Sequence, residues 1–531
     1  MSASRRGAPR GRGLLFAAAT ALLALSPHAE RSARASIDSL VDADRAITAM
    51  EVDKARSILA SHDARKPKVA MLLGKLAMEL GDCDAAVAHL SREDVQALPD
   101  VGPLLNIART CARAMAATVV VDDPVHAVRV RLQDDADRAI VPLIGDVIEK
   151  QRAVLERDLG VKMPTPTRVD VVADQFSLAA MTGLPHKAAQ TTGTVAIAKF
   201  GRVIVVSPRA PELGFALKDT IAHEYTHLAL TRGTLDGAPL WLQEGVAKRE
   251  ETRWRASTAA DEALSADAIA AAGLAKGVGR PLDGIGPSVA LLPSAREAMV
   301  VYAEVTSFVR FLAGDRAGAA GAPSDPTMLA RLLAAYADGL DTDAALRKVS
   351  GKTLHEWNAI WRPWVAGQAR PLPPSIGLDD RKPAGDHGKS ARALRLGELL
   401  LGRGHPKAAR VELDPLASLG LEDVLVGARV ALARLRAGDV AGAKAALGSP
   451  GKLIADLGVW WATRGEVLAA SGAPAAESFA AFGTAVDHDP LSEQAACGWA
   501  STAPAGDPIA SVARDLCDAA RHRGLPPVGR D

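Results

Sequence analysis

Between Thr220 and Leu230 the chain reads TIAHEYTHLAL. His223 and His227 stand four residues apart, and Glu224 directly follows the first. On a helix, positions i and i+4 share a face one turn apart, so both imidazoles can reach one ion. Glu224 is rotated by about 100° from His223 and lies beside such an ion instead of on it. That is the arrangement metal-assisted hydrolysis needs. A zinc ion lowers the pKa of its bound water to about 7, and a nearby carboxylate takes the proton as the water attacks a carbonyl. Chance would place an HExxH match in a chain of this composition on the order of 0.01 times. The flanks suit a helix: Leu217, Ile221, Ala222, Leu228 and Leu230 have helical spacing, with no glycine or proline among them.

A catalytic zinc needs a third protein ligand and an open fourth position. Glu244, in APLWLQEGVAKREE, lies in a second apolar segment 17 residues after His227. The interval leaves room for a helix end, the turn RGTLDGAP and an antiparallel second helix. Before the motif, TVAIAKFGRVIVVSP reads as two β-rich runs joined at Lys199, Phe200 and Gly201. Such a pair offers an edge that can hold a substrate backbone.

HEYTH followed by PLWLQEGVA resembles the gluzincins, the peptidase-MA-like zinc metallopeptidases related to the thermolysin and aminopeptidase families. The resemblance covers about residues 120–366. YAEVTSFVRFLAG (302–314) and the segment 329–365 look like the helices that close the domain in that group. It implies His223, His227 and Glu244 as zinc ligands and Glu224 as general base and acid. The charge developing on the substrate oxygen needs a donor besides zinc, for which Tyr302, at the start of the helix matching the family's downstream segment, is the candidate. Packing its ring against the zinc helices is the other role open to it. Two departures stand out. Lys248 occupies the position, four residues after the third ligand, where thermolysin-like enzymes carry an acid that orients a histidine. Asp219, one turn before His223, is a candidate replacement, and a solvent-facing place near the helix start is its alternative. The GxMEN motif of the aminopeptidases is also absent, so nothing specifies a free N-terminus. Tyr225 reads as structural, and Trp241 as packing the second helix on the first. Trp357, Trp361 and Trp364, at i, i+4 and i+7, read as a core stripe. The remaining histidines fit no ligand spacing.

The rest of the chain must position these residues. Its 531 residues suffice for several domains, and 48% hydrophobic with 24% charged residues marks a globular protein. Net charge is +1, from 63 basic and 62 acidic residues, so no excess positive field favours nucleic acid. Residues 1–35 read as a secretory signal peptide: four arginines, the apolar run GLLFAAATALLAL, and Ala33-Arg34-Ala35 as a cleavage site. Export to a periplasmic, extracellular or cell-envelope location follows, with no stable membrane span after its removal. Residues 36–116 and 391–525 read as helical repeats. LGKLAMELGDCDAAVAHL, LGELLLGRGHPKAARVEL, ALARLRAGDVAGAKAAL and RGEVLAASGAPAAESFAAF each place a glycine seven residues after a small one (Gly81, Gly404, Gly438 and Gly472). In three of them Ala86, Ala409 or Ala443 follows five residues later, and the fourth has Glu477 there. The pattern resembles tetratricopeptide repeats, with generic helical hairpins as the alternative. A Pro-rich stretch, 370–389, reads as a linker. The middle, 118–367, mixes strands and helices. The expected architecture is therefore an α+β zincin-like (thermolysin-like) domain flanked by all-α repeats. Cys83, Cys111, Cys497 and Cys517 allow three pairings; in an exported chain Cys83–Cys111 and Cys497–Cys517 are favoured, with buried free thiols as the alternative. The expected activity is zinc-dependent peptide-bond hydrolysis, using a zinc-bound water that Glu224 deprotonates on a peptide or protein substrate. The alternative is an inactive zinc-binding scaffold whose repeats bind a protein partner.

Overall fold

Valine-rich runs, β-branched and stiff at χ1, favour strands, and four of them join the short run AIAK in one sheet in a computed structural model of the chain. β1 (Val119–Asp123), β2 (Val128–Leu132), β3 (Thr167–Val172), β4 (Ala196–Lys199) and β5 (Arg202–Val206) stand in the order β1-β2-β3-β5-β4. β2, β3 and β5 run parallel, and β1 and β4 are antiparallel edges. The structure describes residues 27–187, 193–211, 214–257, 265–286, 288–316, 321, 325–372, 387–418, 424–448 and 458–521. Side chains at 27–37 and at a few further helical positions are not described.

The two faces of the sheet differ because side chains alternate. Val128, Val130, Leu132, Val169, Val171, Val203 and Val205 point into the main core. There they meet the helix Val141–Leu159 and the motif helix Leu217–Thr234. Val172, Ile204 and Val206 point the other way, against the N-terminal helices between Pro67 and Ala114. On that second face Arg202 is buried, ion-paired with Asp170 at 2.8 Å and donating to the Met78 carbonyl at 2.6 Å. The sheet is thus clamped between helical layers, and the architecture is α+β with helical segments on either side in sequence. β4 and β5 join through Phe200 and Gly201, both with positive φ, as a two-residue hairpin with right-handed twist requires.

The repeat pattern corresponds to helical hairpins. The turn glycines Gly81, Gly404, Gly438 and Gly472 all have positive φ, from 72° to 89°. The small partners are where helices touch: a Cβ on Gly74 would fall 2.6 Å from Leu90, and Ala86, Ala409 and Ala443 are fully buried. In the fourth hairpin Pro474 adds one residue to the turn, so Glu477 is exposed and the next residue, Ser478, takes the buried place. Both expected disulfides are formed, Cys83–Cys111 and Cys497–Cys517, each joining neighbouring helices. The last hairpins share the core of the central domain, and Lys218 of the motif helix pairs with Asp487.

Two expected boundaries fall partly outside the described residues. Of the 1–35 leader, residues 1–26 lie outside, and a single helix, Pro27–Thr48, runs across the expected cleavage position. Of the 370–389 linker, residues 373–386 lie outside, and helix already begins at His387. No helix among the described residues is long and apolar enough to cross a membrane.

The helix Leu240–Glu250 packs on the helix Ala295–Leu312 through Gly245. A Cβ there would lie 2.6 Å from the Val305 carbonyl and collide with Val309. Gly245→Ala should therefore force the two helices apart and destabilise the metal-free chain by about 1–3 kcal/mol, read by denaturant unfolding. Wild-type stability in that variant would contradict the close approach.

Candidate metal centre

The motif helix is held in one rotational setting. Its buried stripe includes Leu217, Ile221, Ala222, Tyr225, Leu228 and Ala229. The Tyr225 hydroxyl accepts a hydrogen bond from Thr167 Oγ1 at 3.0 Å, and Gln151 Nε2 donates to Thr226 Oγ1 at 3.0 Å. Tyr225 is therefore structural, as its sequence position suggests. The helix ends in a tight reversal: Leu235 and Asp236 both have positive φ, and Pro239 caps the second helix. This reversal brings Glu244 back to the histidines.

His223 Nε2 and His227 Nε2 lie 3.2 Å apart. Glu244 Oε2 lies 3.6 Å from the first and 3.5 Å from the second. An ion held tetrahedrally at about 2.1 Å needs ligand atoms about 3.4 Å apart, so the three form one face of such a tetrahedron. Glu244 Oε2 is buried and accepts no hydrogen bond. An orphaned carboxylate oxygen facing two imidazole nitrogens fits a cation at their centre. The group could hold a metal ion.

The polar groups behind the ligands depart from the sequence reading. His223 Nδ1 lies 3.1 Å from Glu251 Oε2. A proton on Nδ1 bonded to that carboxylate leaves the Nε2 lone pair free for the ion. Asp219 fills neither role expected of it. Its carboxylate is largely covered, accepting from Trp254 Nε1 at 2.8 Å and pairing with Arg255 at 2.8 Å. Lys248 does not orient a histidine; it binds Glu251 at 2.7 Å. The carboxylate missing at 248 is thus supplied three residues later, with lysine as its counter-ion. Glu251 follows Glu244 by seven residues, two helical turns on the same face, and that spacing is the signal that could have found it.

Glu224 lines the same cleft of about 500 Å³ as the three ligands, Tyr302 and the edge strand β4. Its Oε2 accepts the Ala198 backbone N–H at 2.6 Å. Tyr302 lies on the helix Ala295–Leu312, two turns in and not at its start. The Lys248 ammonium sits 5.9 Å from its ring centroid. Trp241 is buried edge-on against Phe308 at 5.4 Å, so its ring packs toward the Tyr302 helix. Trp357 and Trp361 are buried and Trp364 packs on Phe311, which makes the expected core stripe.

The charges are tightly coupled. Burial alone would lower the pKa of His223, but the carboxylates of Glu244 and Glu251 outweigh it and hold the metal-free imidazole at about 9. Burial works against ionised Glu251, yet Lys248 and His223 pull it down to about 2. Glu244 is likewise held well below the usual carboxylate range by the two histidines, against its burial. Burial pushes Tyr302 well up, and the neighbouring carboxylates push it further.

No family model matches this chain, and neither a curated protein nor a solved structure matches it. The functional reading therefore stands on the chain's own residues.

At neutral pH a metal ion must displace a proton from His223. Its apparent affinity should rise as pH increases toward about 9 and then level off, as calorimetry in buffers of different ionisation enthalpy would show; affinity independent of pH between 6 and 9 would contradict this (about 6 and 9 bracket the titration). Glu251→Gln should weaken metal binding by about 10–100-fold in competition with a chelator. An unchanged affinity would remove Glu251 from the centre.

Proposed function

We propose that the chain is a zinc-dependent peptide-bond hydrolase of gluzincin type. The observation that carries this reading is the ligand triangle of His223, His227 and Glu244 in one cleft with Glu224 and the edge strand β4. Two imidazoles and one carboxylate are a donor set suited to zinc. Glu251 supplies the carboxylate that Lys248 does not, which favours a working enzyme over an inactive scaffold.

Among the described residues β4 pairs with β5 on one side only. Its ladder leaves alternate residues facing outward, and Ala198 N–H points at Glu224, so Ala196 and Ala198 face the cleft. An extended peptide can add there as a further strand, held by main-chain hydrogen bonds. Zinc, when bound, would lower the pKa of a coordinated water to about 7 and polarise the scissile carbonyl. Glu224 takes the proton of the attacking water and passes it to the leaving nitrogen. Tyr302, kept neutral by burial and nearby carboxylates, donates its hydroxyl proton in a hydrogen bond to the developing oxyanion. Glu251 keeps His223 oriented through Nδ1.

The same reading makes the chain an exported protein. Its basic, then apolar, N-terminus and its two disulfides support an oxidising compartment. The helical hairpins, tetratricopeptide-like in pattern, provide surfaces for a protein partner.

Glu224→Gln should retain one metal ion per chain and lose cleavage of a peptide library by at least about 10²–10⁴-fold. Full activity in that variant would remove the mechanism. Tyr302→Phe should lower kcat by about 10²–10³-fold with little change in KM; an unaltered kcat would leave Tyr302 a packing residue.

A further inference from the structure

The metal cleft does not end at the ligands. Ala198, Thr231 and Asp236 line both it and an adjoining cavity of about 440 Å³. The far wall of that cavity belongs to the N-terminal helices and includes Ile47, Lys75, Glu79 and Leu104. Glu79 stands on the helix Pro67–Leu80, and its Oε2 is buried and accepts no hydrogen bond. Asp236 occupies the left-handed reversal after the motif helix, with φ 64°.

Among the described residues neither carboxylate is in an ion pair. Lys75 is paired with Asp44 at 2.9 Å, Lys199 donates to the Thr182 carbonyl at 2.6 Å, and Arg202 is paired with Asp170. Burial pushes Glu79 up to about 8 in spite of Arg202 and Arg168, and Asp236 adds to the shift. Asp236 is exposed to the cavity, and partial desolvation raises it against a hydrogen bond from Thr231. A covered carboxylate oxygen that shares a cavity with a second, water-exposed carboxylate is stabilised by a cation placed between them. A second metal ion is not that cation, because the pair belongs to no group of three metal ligands among the described residues.

We propose that Glu79 and Asp236 form a cation subsite at one end of the cleft, which takes a positively charged group of the peptide substrate, either its α-ammonium or a lysine or arginine side chain. The N-terminal helices thereby set specificity. This rests on the hydrolase reading, since the subsite adjoins that cleft.

Peptide binding to the metal-loaded Glu224→Gln chain tests the subsite without turnover. One peptide is prepared with lysine or norleucine at each position in turn, and with a free or acetylated N-terminus. The cationic form at one position, or the free amino end, should bind about 10–100-fold tighter than its neutral counterpart. Adding Glu79→Gln or Asp236→Asn should reduce that ratio to about threefold or less. Asparagine tolerates the left-handed conformation at 236, so the second variant should fold even if the first does not. Loss on acetylation supports the subsite with the α-ammonium as its ligand, and loss on norleucine substitution supports it with a side chain. Peptides bound without charge preference, or a preference that survives both substitutions, would overturn the subsite alone. No binding of any peptide, together with no cleavage by the wild type, would overturn the hydrolase reading and the subsite with it.

Discussion

Two imidazole nitrogens and a buried carboxylate oxygen that accepts no hydrogen bond converge within 3.6 Å of one another in the cleft. Without a metal ion the carboxylate oxygen faces the histidines but accepts no hydrogen bond, and such a group is costly to bury. The surroundings keep it there. Tyr225 and Thr226 fix the rotation of the motif helix, Gly245 sets the depth of the second helix, and Glu251 fixes the His223 ring. Each of these residues is explained by the triangle, and the triangle would loosen without any one of them.

The sheet serves the same end. The part of its core face that meets the motif helix carries valines and Thr167, while its edge strand β4 brings Ala198 to Glu224. The opposite face is braced by the buried Arg202–Asp170 pair and the N-terminal helices. Those helices reach round to the end of the cleft, where Glu79 faces Asp236 across the adjoining cavity. The C-terminal hairpins meet the start of the motif helix through Lys218 and Asp487. Helices from both flanks therefore border the helix that carries the two histidines.

What the sequence disclosed was local. HExxH is an i, i+4 relation, the β4–β5 hairpin is a two-residue turn, and each repeat announces itself by a glycine that must adopt positive φ. The strands, the motif helix, the reversal and the second helix could all be read in advance for that reason. What escaped depends on long-range contacts that leave no period in the sequence. Asp219 meets Trp254 and Arg255, 35 and 36 residues away, and no spacing points there. Trp241 meets Phe308, 67 positions on in the chain numbering. Glu251 was legible in principle, two turns beyond Glu244 on the same face. The Ser478 shift arose because one proline lengthened a turn that the repeat pattern treated as constant.

X-ray absorption at the zinc edge of the purified, zinc-loaded chain tests the central claim most directly. It should show one ion with two imidazoles and oxygen donors at about 2.0–2.2 Å and no sulfur. It should also lose one imidazole in His223→Ala. A spectrum without imidazole scattering, or one unchanged by that substitution, would contradict the account.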